Sequence, residues 1–401
     1  MRFGMIRDSG TAVSVTLPYA LLQITTWSFY AILLSFSGNV LRDFGFTDSH
    51  ISLFLGIAAL LSFGIQLLIG KLTARIPQLK VSSILFLLGV LMLGGNILVR
   101  CSFLPKAVAV AAYGLACMIV HLLPALTNGI GMDAIKRGSP TNYSLARGMG
   151  SLGYSLFAYV TGFLVRIHGS GTVPVIAGIS AAFLLLSTFW YHYIAVRPLP
   201  PSVRTDISVQ KGASLLRRYP EFLFFLAGNV LLQFSHSLIG NFMFQIISAK
   251  NGTAAEQGIA TAICAIVELP IMFGFPFIVK RIQCKTWVRL SGLCILAKPL
   301  FIFLTSSPAG VYTAQASQML GYGLFTISSV NYIELLVEKG ESVQAQNYLG
   351  ASITAGSLMA LFSGGFLCQY FGVHILALTS CCCALIGGII IWCSTKTQQK
   401  V

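Results

Sequence analysis

Apolar runs of about 20 residues alternate with short polar breaks along the whole chain, and no extended soluble-like stretch intervenes. An α-helix needs roughly 20 apolar residues to cross the hydrocarbon of a bilayer. The pattern predicts twelve membrane spans, over about 17–40, 50–70, 81–100, 107–128, 146–166, 173–195, 221–246, 256–279, 287–305, 309–333, 345–368 and 372–394. Glycine and proline interrupt several of them, which leaves counts of eleven and thirteen open. The predicted fold class is an all-α polytopic membrane protein.

One polar stretch is longer than the rest. Residues 197–220, opening with Pro198, Pro200 and Pro201 and closing near Arg217 and Arg218, divide six spans from six spans. The expected organisation is a six-helix bundle over 1–196, a linker over 197–220 and a second bundle over 221–401. The halves also resemble one another. Gly153 to Gly169 (GYSLFAYVTGFLVRIHG) aligns with Gly356 to Gly372 (GSLMALFSGGFLCQYFG) at an offset of 203 residues. Arg75 and Ile76 followed by Lys80 echo Arg281 and Ile282 followed by Lys285. Weak internal symmetry of this kind marks transporter folds whose substrate site lies at the midplane between repeats.

Composition sharpens the picture. Hydrophobic residues make up 56% of the chain and charged residues 9%, against about a quarter charged in soluble proteins. The net charge of +15 raises the question of nucleic acid, but its placement follows topology. Of the 26 Lys and Arg, about nineteen fall on the side holding both termini. Arg42, Arg100, Lys106, Arg166 and Lys250 fall on the other side, and Arg147 and Lys298 lie inside spans. By the positive-inside rule both termini are expected in the cytoplasm. The acidic loop with Glu334, Glu338 and Glu341 runs against this only weakly, because acids count little in the rule. The opening MRFGMIRDSG leads into a long apolar stretch without a clear cleavage site, so the first span is expected to be retained. The ten cysteines sit mostly within spans and show no metal-ligand or disulfide spacing. No cofactor is implied. The expected partners are a small-molecule substrate, protons and the lipid bilayer, with no nucleic acid, and the expected state is a monomer.

Charge inside spans is the loudest chemical signal. Glu268 is the one acid well inside an apolar run, and Arg147 and Lys298 are cations at similar depth. A charged side chain at the bilayer centre costs roughly 3 kcal/mol on insertion scales unless it is paired or lines a watery cavity. These three residues therefore point to a polar pathway, with structural ion pairing between helices as the alternative.

Three stretches carry a family resemblance. Ala146-Arg147-Gly148-Met149-Gly150-Ser151-Leu152-Gly153-Tyr154 is similar to a fifth-span pattern of the major facilitator superfamily. The match is nearest to its proton-coupled oligosaccharide and nucleoside branch, which includes lactose permease. Val267-Glu268-Leu269-Pro270 is similar to the eighth-span acidic motif of that branch, and Lys298 falls where the branch often has a buried Arg. His236 and Asn241 fall where relatives place polar residues. Some positions depart from the pattern. The loop after span two, Gly70 to Pro77, has Thr73 or Ala74 where the superfamily's acid belongs. Gln318 and Gly321 replace a His and Glu pair in span ten, and Thr127, Asn128 or Gly129 stands near the fourth-span sugar-binding Glu. Lactose itself becomes an unexpected substrate.

The resemblance implies an alternating-access transporter in a bacterial plasma membrane. It would take up a small polar solute, a sugar, oligosaccharide or nucleoside, with protons. The expected proton-coupling residues are Glu268, Lys298 and Arg147. A carboxyl whose ion pair forms and breaks gains and loses its proton in step, whereas a permanent Glu268–Lys298 pair is the structural alternative. Arg147 offers a fork of donors for hydroxyls or a carboxylate, against an arginine snorkelling from the span's end. The expected substrate-binding set is Arg147, His236, Asn241, Gln318, Asn128, Trp27 and Tyr30, with His121 and Gln233 as further polar residues at depth. An uncoupled facilitator, a drug exporter and a non-transporting sensor remain as alternatives. Enzyme chemistry is disfavoured, since one embedded acid forms no dyad and no His precedes an acid by four or five residues. A channel lacks its ring of repeated filter residues.

Overall fold

The computed structural model describes residues 15–76, 79–101, 103–136, 141–195, 213–271, 274, 283–338 and 341–395. Span one is Thr16–Phe29, a π-turn at Tyr30–Leu34 and Ser37–Asp43. Spans two to six are Asp48–Arg75, Val81–Arg100, Lys106–Lys136, Tyr143–His168 and Thr172–Ala195. A short helix, Ala213–Arg218, precedes span seven at Pro220–Asn241, which Met243–Ser248 extends. Span eight is Ala254–Ile266 with a turn at Val267 and Glu268 and helix again to 271. Span nine is split into Cys284–Cys294 and Ala297–Leu304, and span ten into Pro308–Ala316 and Tyr322–Leu336. Spans eleven and twelve are Ser342–Phe366 and Gly372–Ser394. Residues 197–212 of the expected linker, Arg281 and Ile282 of the expected basic echo, and the opening decapeptide lie outside the described residues.

Among the described residues, ten helical runs are long and apolar enough to cross a membrane. The last of them, Gln344–Ser394, has 51 residues and turns at Gly372, so it holds spans eleven and twelve. Span ten is too interrupted to qualify as one apolar run, and it completes the twelve. Local chemistry sets several starts. Asn142 Oδ1 accepts the Leu145 amide at 3.0 Å, Thr253 and Glu256 form a capping box, and Pro220 and Pro308 occupy first turns. Large apolar side chains such as Leu61, Leu186, Phe189, Leu304 and Leu335 stand on the outer surface. A surface of that composition suits hydrocarbon and not water.

The internal repeat is visible in the backbone. Gly169 and Gly372 both turn the chain at φ +79°, with ψ 174° and 171°. This left-handed conformation favours glycine, and the two stand at the 203-residue offset. The helices before them repeat their packing. A Cβ on Gly153 would meet the Ile24 backbone of span one, and a Cβ on Gly356 would meet the Val230 and Phe234 backbone of span seven. Spans five and eleven therefore press against spans one and seven in the same way.

The first six spans and the last six meet at the end away from the termini. Span five packs on span eight, where Gly162 faces Gly258, and span eleven packs on span two, where Gly365 faces Asp48 and Ser52. Ser52 Oγ donates to the Leu361 carbonyl and accepts the Gly365 amide at 3.1 Å. Gln257 Nε2 reaches the Ser35 carbonyl at 2.5 Å, and Ser155 Oγ reaches the Ala262 carbonyl at 3.0 Å. Nearer that end, Asp48 accepts from Arg42 at 2.8 Å and from Gln245 at 3.0 Å, and Arg42 lies over the Phe244 ring. Every hydrogen bond that joins the halves between described residues lies in this region.

Candidate functional site

Beyond those contacts the halves part around a cavity of about 540 Å³, lined by residues of both. Its wall in the last six spans is built from three helix interruptions. Span eight breaks at Val267 and Glu268, ahead of Pro270, which cannot donate a backbone hydrogen bond. Span nine breaks at Ile295 and Leu296, just before Lys298. Span ten tightens to a 3-10 turn at Ser317–Met319, which carries Gln318. The last two breaks touch, since a Cβ on Gly321 would lie 3.2 Å from Cys294 O and Ile295 Cα. Irregular backbone at membrane depth is tolerated where it is enclosed in protein or lines a cavity.

These breaks converge into one relay. Lys298 Nζ donates to Gln318 Oε1 at 2.6 Å, and Gln318 Nε2 donates to Glu268 Oε1 at 2.7 Å. Lys298 also donates to Cys264 Sγ at 3.6 Å. Lys298 and Gln318 are only 5% and 3% exposed, so the relay is largely buried, and all three of its members touch the cavity wall. No ion pair joins Glu268 and Lys298 among the described residues. The glutamine stands between them, so the structure replaces the permanent Glu268–Lys298 pair with a hydrogen-bonded chain. Beside it, His236 stacks flat on Tyr322 with ring centroids 3.7 Å apart and planes 2° from parallel. Gln233 donates to Ser237 and Ser357, each at 3.1 Å, on the same wall.

The opposite wall belongs to spans one, four and five. A Cβ on Gly150 would lie 2.5 Å from Trp27 Cδ1, and the absence of one lets span one press against span five. Arg147, one turn into span five, then lies over the Trp27 ring at 4.1 Å, within the range of a cation–π contact. Its Nη1 donates to Ser151 Oγ at 3.3 Å. Trp27 and Tyr30 are tilted against each other at 5.4 Å, and the Tyr30 hydroxyl lies 3.5 Å from His121 Nδ1. Tyr154, the aromatic that closes the span-five motif, lies 3.1 Å from Ser35.

The cavity thus gathers Arg147, Glu268, Lys298, His236, Asn241, Gln318, Trp27 and Tyr30, together with His121 and Gln233. Asn128 is placed elsewhere. It accepts from Gln23 Nε2 at 3.0 Å and is absent from the lining, while Gln23 Oε1 in turn accepts from Trp27 Nε1 at 3.1 Å. Asn128 therefore supports Trp27 through Gln23 and does not face the cavity. Sequence reasoning passed over Tyr322, Thr326, Ser237 and Ser357, which line the cavity. Serine, threonine and tyrosine are too common in apolar helices for composition to single them out. The interruption at Gly321 is the one local signal near Tyr322.

A model of the MFS_1-like family matches residues 19–378. Over 166 residues the chain is 22% identical to a Deinococcus radiodurans protein named as a candidate sugar efflux transporter. That match spans 40% of this chain and 42% of the relative, less than half its length. Among solved structures, the nucleoside transporter NupG, in an alanine-substituted form, shares the fold at a TM-score of 0.75. Its identity is 14%, over 96% of this chain and all of that one. The unsubstituted NupG gives a TM-score of 0.72 at 14% identity, over 95% and 98% of the two chains. At that identity the likeness is one of fold, and it is the fold of two six-helix halves described above. Both the family model and the structural neighbours are transporters and not enzymes, and with nearly its whole length matched the chain belongs to the MFS_1-like family of major facilitator transporters.

Proposed function

We propose that this protein is a proton-coupled secondary transporter of a sugar- or nucleoside-like solute, working by alternating access. The observation that carries the reading is the Lys298–Gln318–Glu268 chain, a carboxylate at the cavity wall whose charge is met, among the described residues, by hydrogen bonding and not by a fixed ion pair. Such a carboxylate changes its proton affinity as its surroundings rearrange, which is the requirement for loading and releasing a proton once per cycle. Hydroxyl and amide groups beside aromatic rings suit a polyhydroxylated solute. The names of the relatives, a sugar efflux transporter and a nucleoside transporter, support the same solute classes. The halves are joined at one end and parted around the cavity toward the termini, which fits an inward-facing state with both termini in the cytoplasm.

The test is external pH during addition of sugars and nucleosides to de-energised vesicles containing the protein. Alkalinisation on addition of one solute establishes symport and identifies the class. The efflux relative favours a second reading, proton antiport, in which a solute-loaded vesicle moves protons the other way. Solute flux without any pH change overturns coupling and leaves an uncoupled facilitator.

A further inference from the structure

The cavity carries an excess of positive charge. Among the described residues that line it, the formally charged ones are Arg147, Lys298 and Glu268, two cations against one carboxylate. The two cations are held differently. Lys298 is nearly enclosed and engaged by Gln318 and Cys264. Arg147 spends one donor on Ser151, rests on Trp27, and forms no ion pair with any carboxylate among the described residues. On span four, Asn128 is neutral and turned to Gln23. Protonation of His121 or His236 would only enlarge the excess.

A guanidinium at membrane depth is costly unless its charge is met, and the carboxylate within its electrostatic reach, Glu268, is shared with Lys298. The planar fork of the guanidinium matches a carboxylate through two parallel hydrogen bonds. Stacking on Trp27 fixes the plane of the fork, so little side-chain freedom remains to be lost when an anion docks. The positive charge left over after Glu268 is therefore met by the solute. We infer that the cavity is built for a monoanionic, sugar-like solute whose carboxylate docks on Arg147, an inference that rests on reading this cavity as the transport site. The carbohydrate body then lies toward Trp27 and Tyr30 on one wall and toward Gln233 and Ser357 on the other.

The experiment is thermal-shift and equilibrium binding on the purified full-length protein. The probes are glucuronate and galacturonate, with glucose, galactose and the neutral isostere glucuronamide as counterparts, uridine as a nucleoside and acetate as an ion control. The uronates should bind roughly tenfold to a hundredfold tighter than their neutral counterparts, the range of one charge-assisted bidentate contact. Acetate should not reproduce the effect. Arg147→Gln should erase the difference and Arg147→Lys should keep part of it. Ser151→Asp gives the guanidinium an internal carboxylate without removing it, and should erase the preference even where Arg147→Gln fails to fold. Neutral sugars or uridine binding at least as tightly as the uronates overturns the inference and leaves the transporter reading intact. An equal response to acetate overturns it as a nonspecific ion effect. No binding by any probe to well-folded protein removes the inference and the solute class of the transporter reading together.

Discussion

Gln318 donates its side-chain amide to the Glu268 carboxylate at 2.7 Å while its own carbonyl oxygen accepts from Lys298 at 2.6 Å. The amide therefore separates two opposite charges that would otherwise pair directly. A direct buried pair holds both partners firmly, and breaking it costs about 3–5 kcal/mol. A neutral bridge leaves each charge satisfied by hydrogen bonds to neutral groups and lets either partner exchange when the halves move. The carboxylate is then free to bind a proton without first being released from an ion pair.

Replacing Glu268 with Gln tests this directly. The amide keeps the shape of the protonated carboxyl and its contact with Gln318, so folding and solute binding should survive. Uphill accumulation driven by a proton gradient should fall to the level of vesicles lacking the protein, while solute exchange across the membrane persists. Radiolabelled uptake and exchange measured in the same vesicles separate the two. Undiminished accumulation in Glu268→Gln would assign the proton to another group.

The contact between the halves makes a second claim. Gly365 lies so close to span two that an added Cβ would sit 2.2 Å from Ser52 Cβ and 2.3 Å from Asp48 O. Its counterpart 203 residues earlier, Gly162, would meet Ala254 O at 2.5 Å and Gly258 Cα at 2.8 Å. Overpacking of this kind costs about 1–3 kcal/mol, enough to shift the joined end toward opening by about tenfold. Gly365→Val and Gly162→Val should both increase labelling of Cys264, which lines the cavity, by an impermeant maleimide applied from the joined side. The background for this measurement has the other cysteines replaced. Labelling that stays slow in both variants would show that these glycines do not hold the end shut.

At the opposite end, Arg218 Nη1 donates to Glu341 Oε1 at 2.8 Å, and Glu341 is only 4% exposed. Arg218→Ala leaves that carboxylate enclosed without its charged partner. The expected loss is about 1–3 kcal/mol, toward the lower figure because Arg218 is half exposed and screened by salt. Glu338, 3.8 Å from the same guanidinium and largely exposed, should change stability by less than about 0.5 kcal/mol when replaced by Ala. Thermal unfolding in detergent ranks the two, and equal shifts would contradict the difference in burial.

Much of this arrangement was legible because charge in an apolar helix is conspicuous. Glu268, Arg147 and Lys298 stand out from their runs, and all three line one cavity. The repeat was legible for a related reason. A glycine that must adopt a positive φ leaves the same mark twice, at Gly169 and Gly372. What stayed hidden depends on helix phase and interruption. Asn128 lies at membrane depth but faces Gln23 and not the cavity, because no run of letters states which side of a helix faces inward. The breaks at Ile295, Glu268 and Gln318 bring the relay together across three spans, and no sequence spacing encodes that meeting. Gln318 looked like the remnant of a lost titratable pair, whereas in space it is the connecting member.

Charge accounting yields the last prediction. A neutral sugar travelling with one proton carries one positive charge across the membrane in each cycle. A monoanionic solute travelling with one proton carries none, whatever the charge on the empty protein. The membrane potential contributes about 2.3 kcal/mol per charge per 100 mV, so the two cases differ strongly in a voltage-clamped vesicle. With the pH gradient fixed and the potential set by valinomycin and potassium, uronate accumulation should be insensitive to potential. Accumulation driven by an inside-negative potential alone would mean that positive charge enters with the solute. That result would require either a neutral solute or more than one proton per anion, and the single carboxylate among the described lining residues argues against the latter.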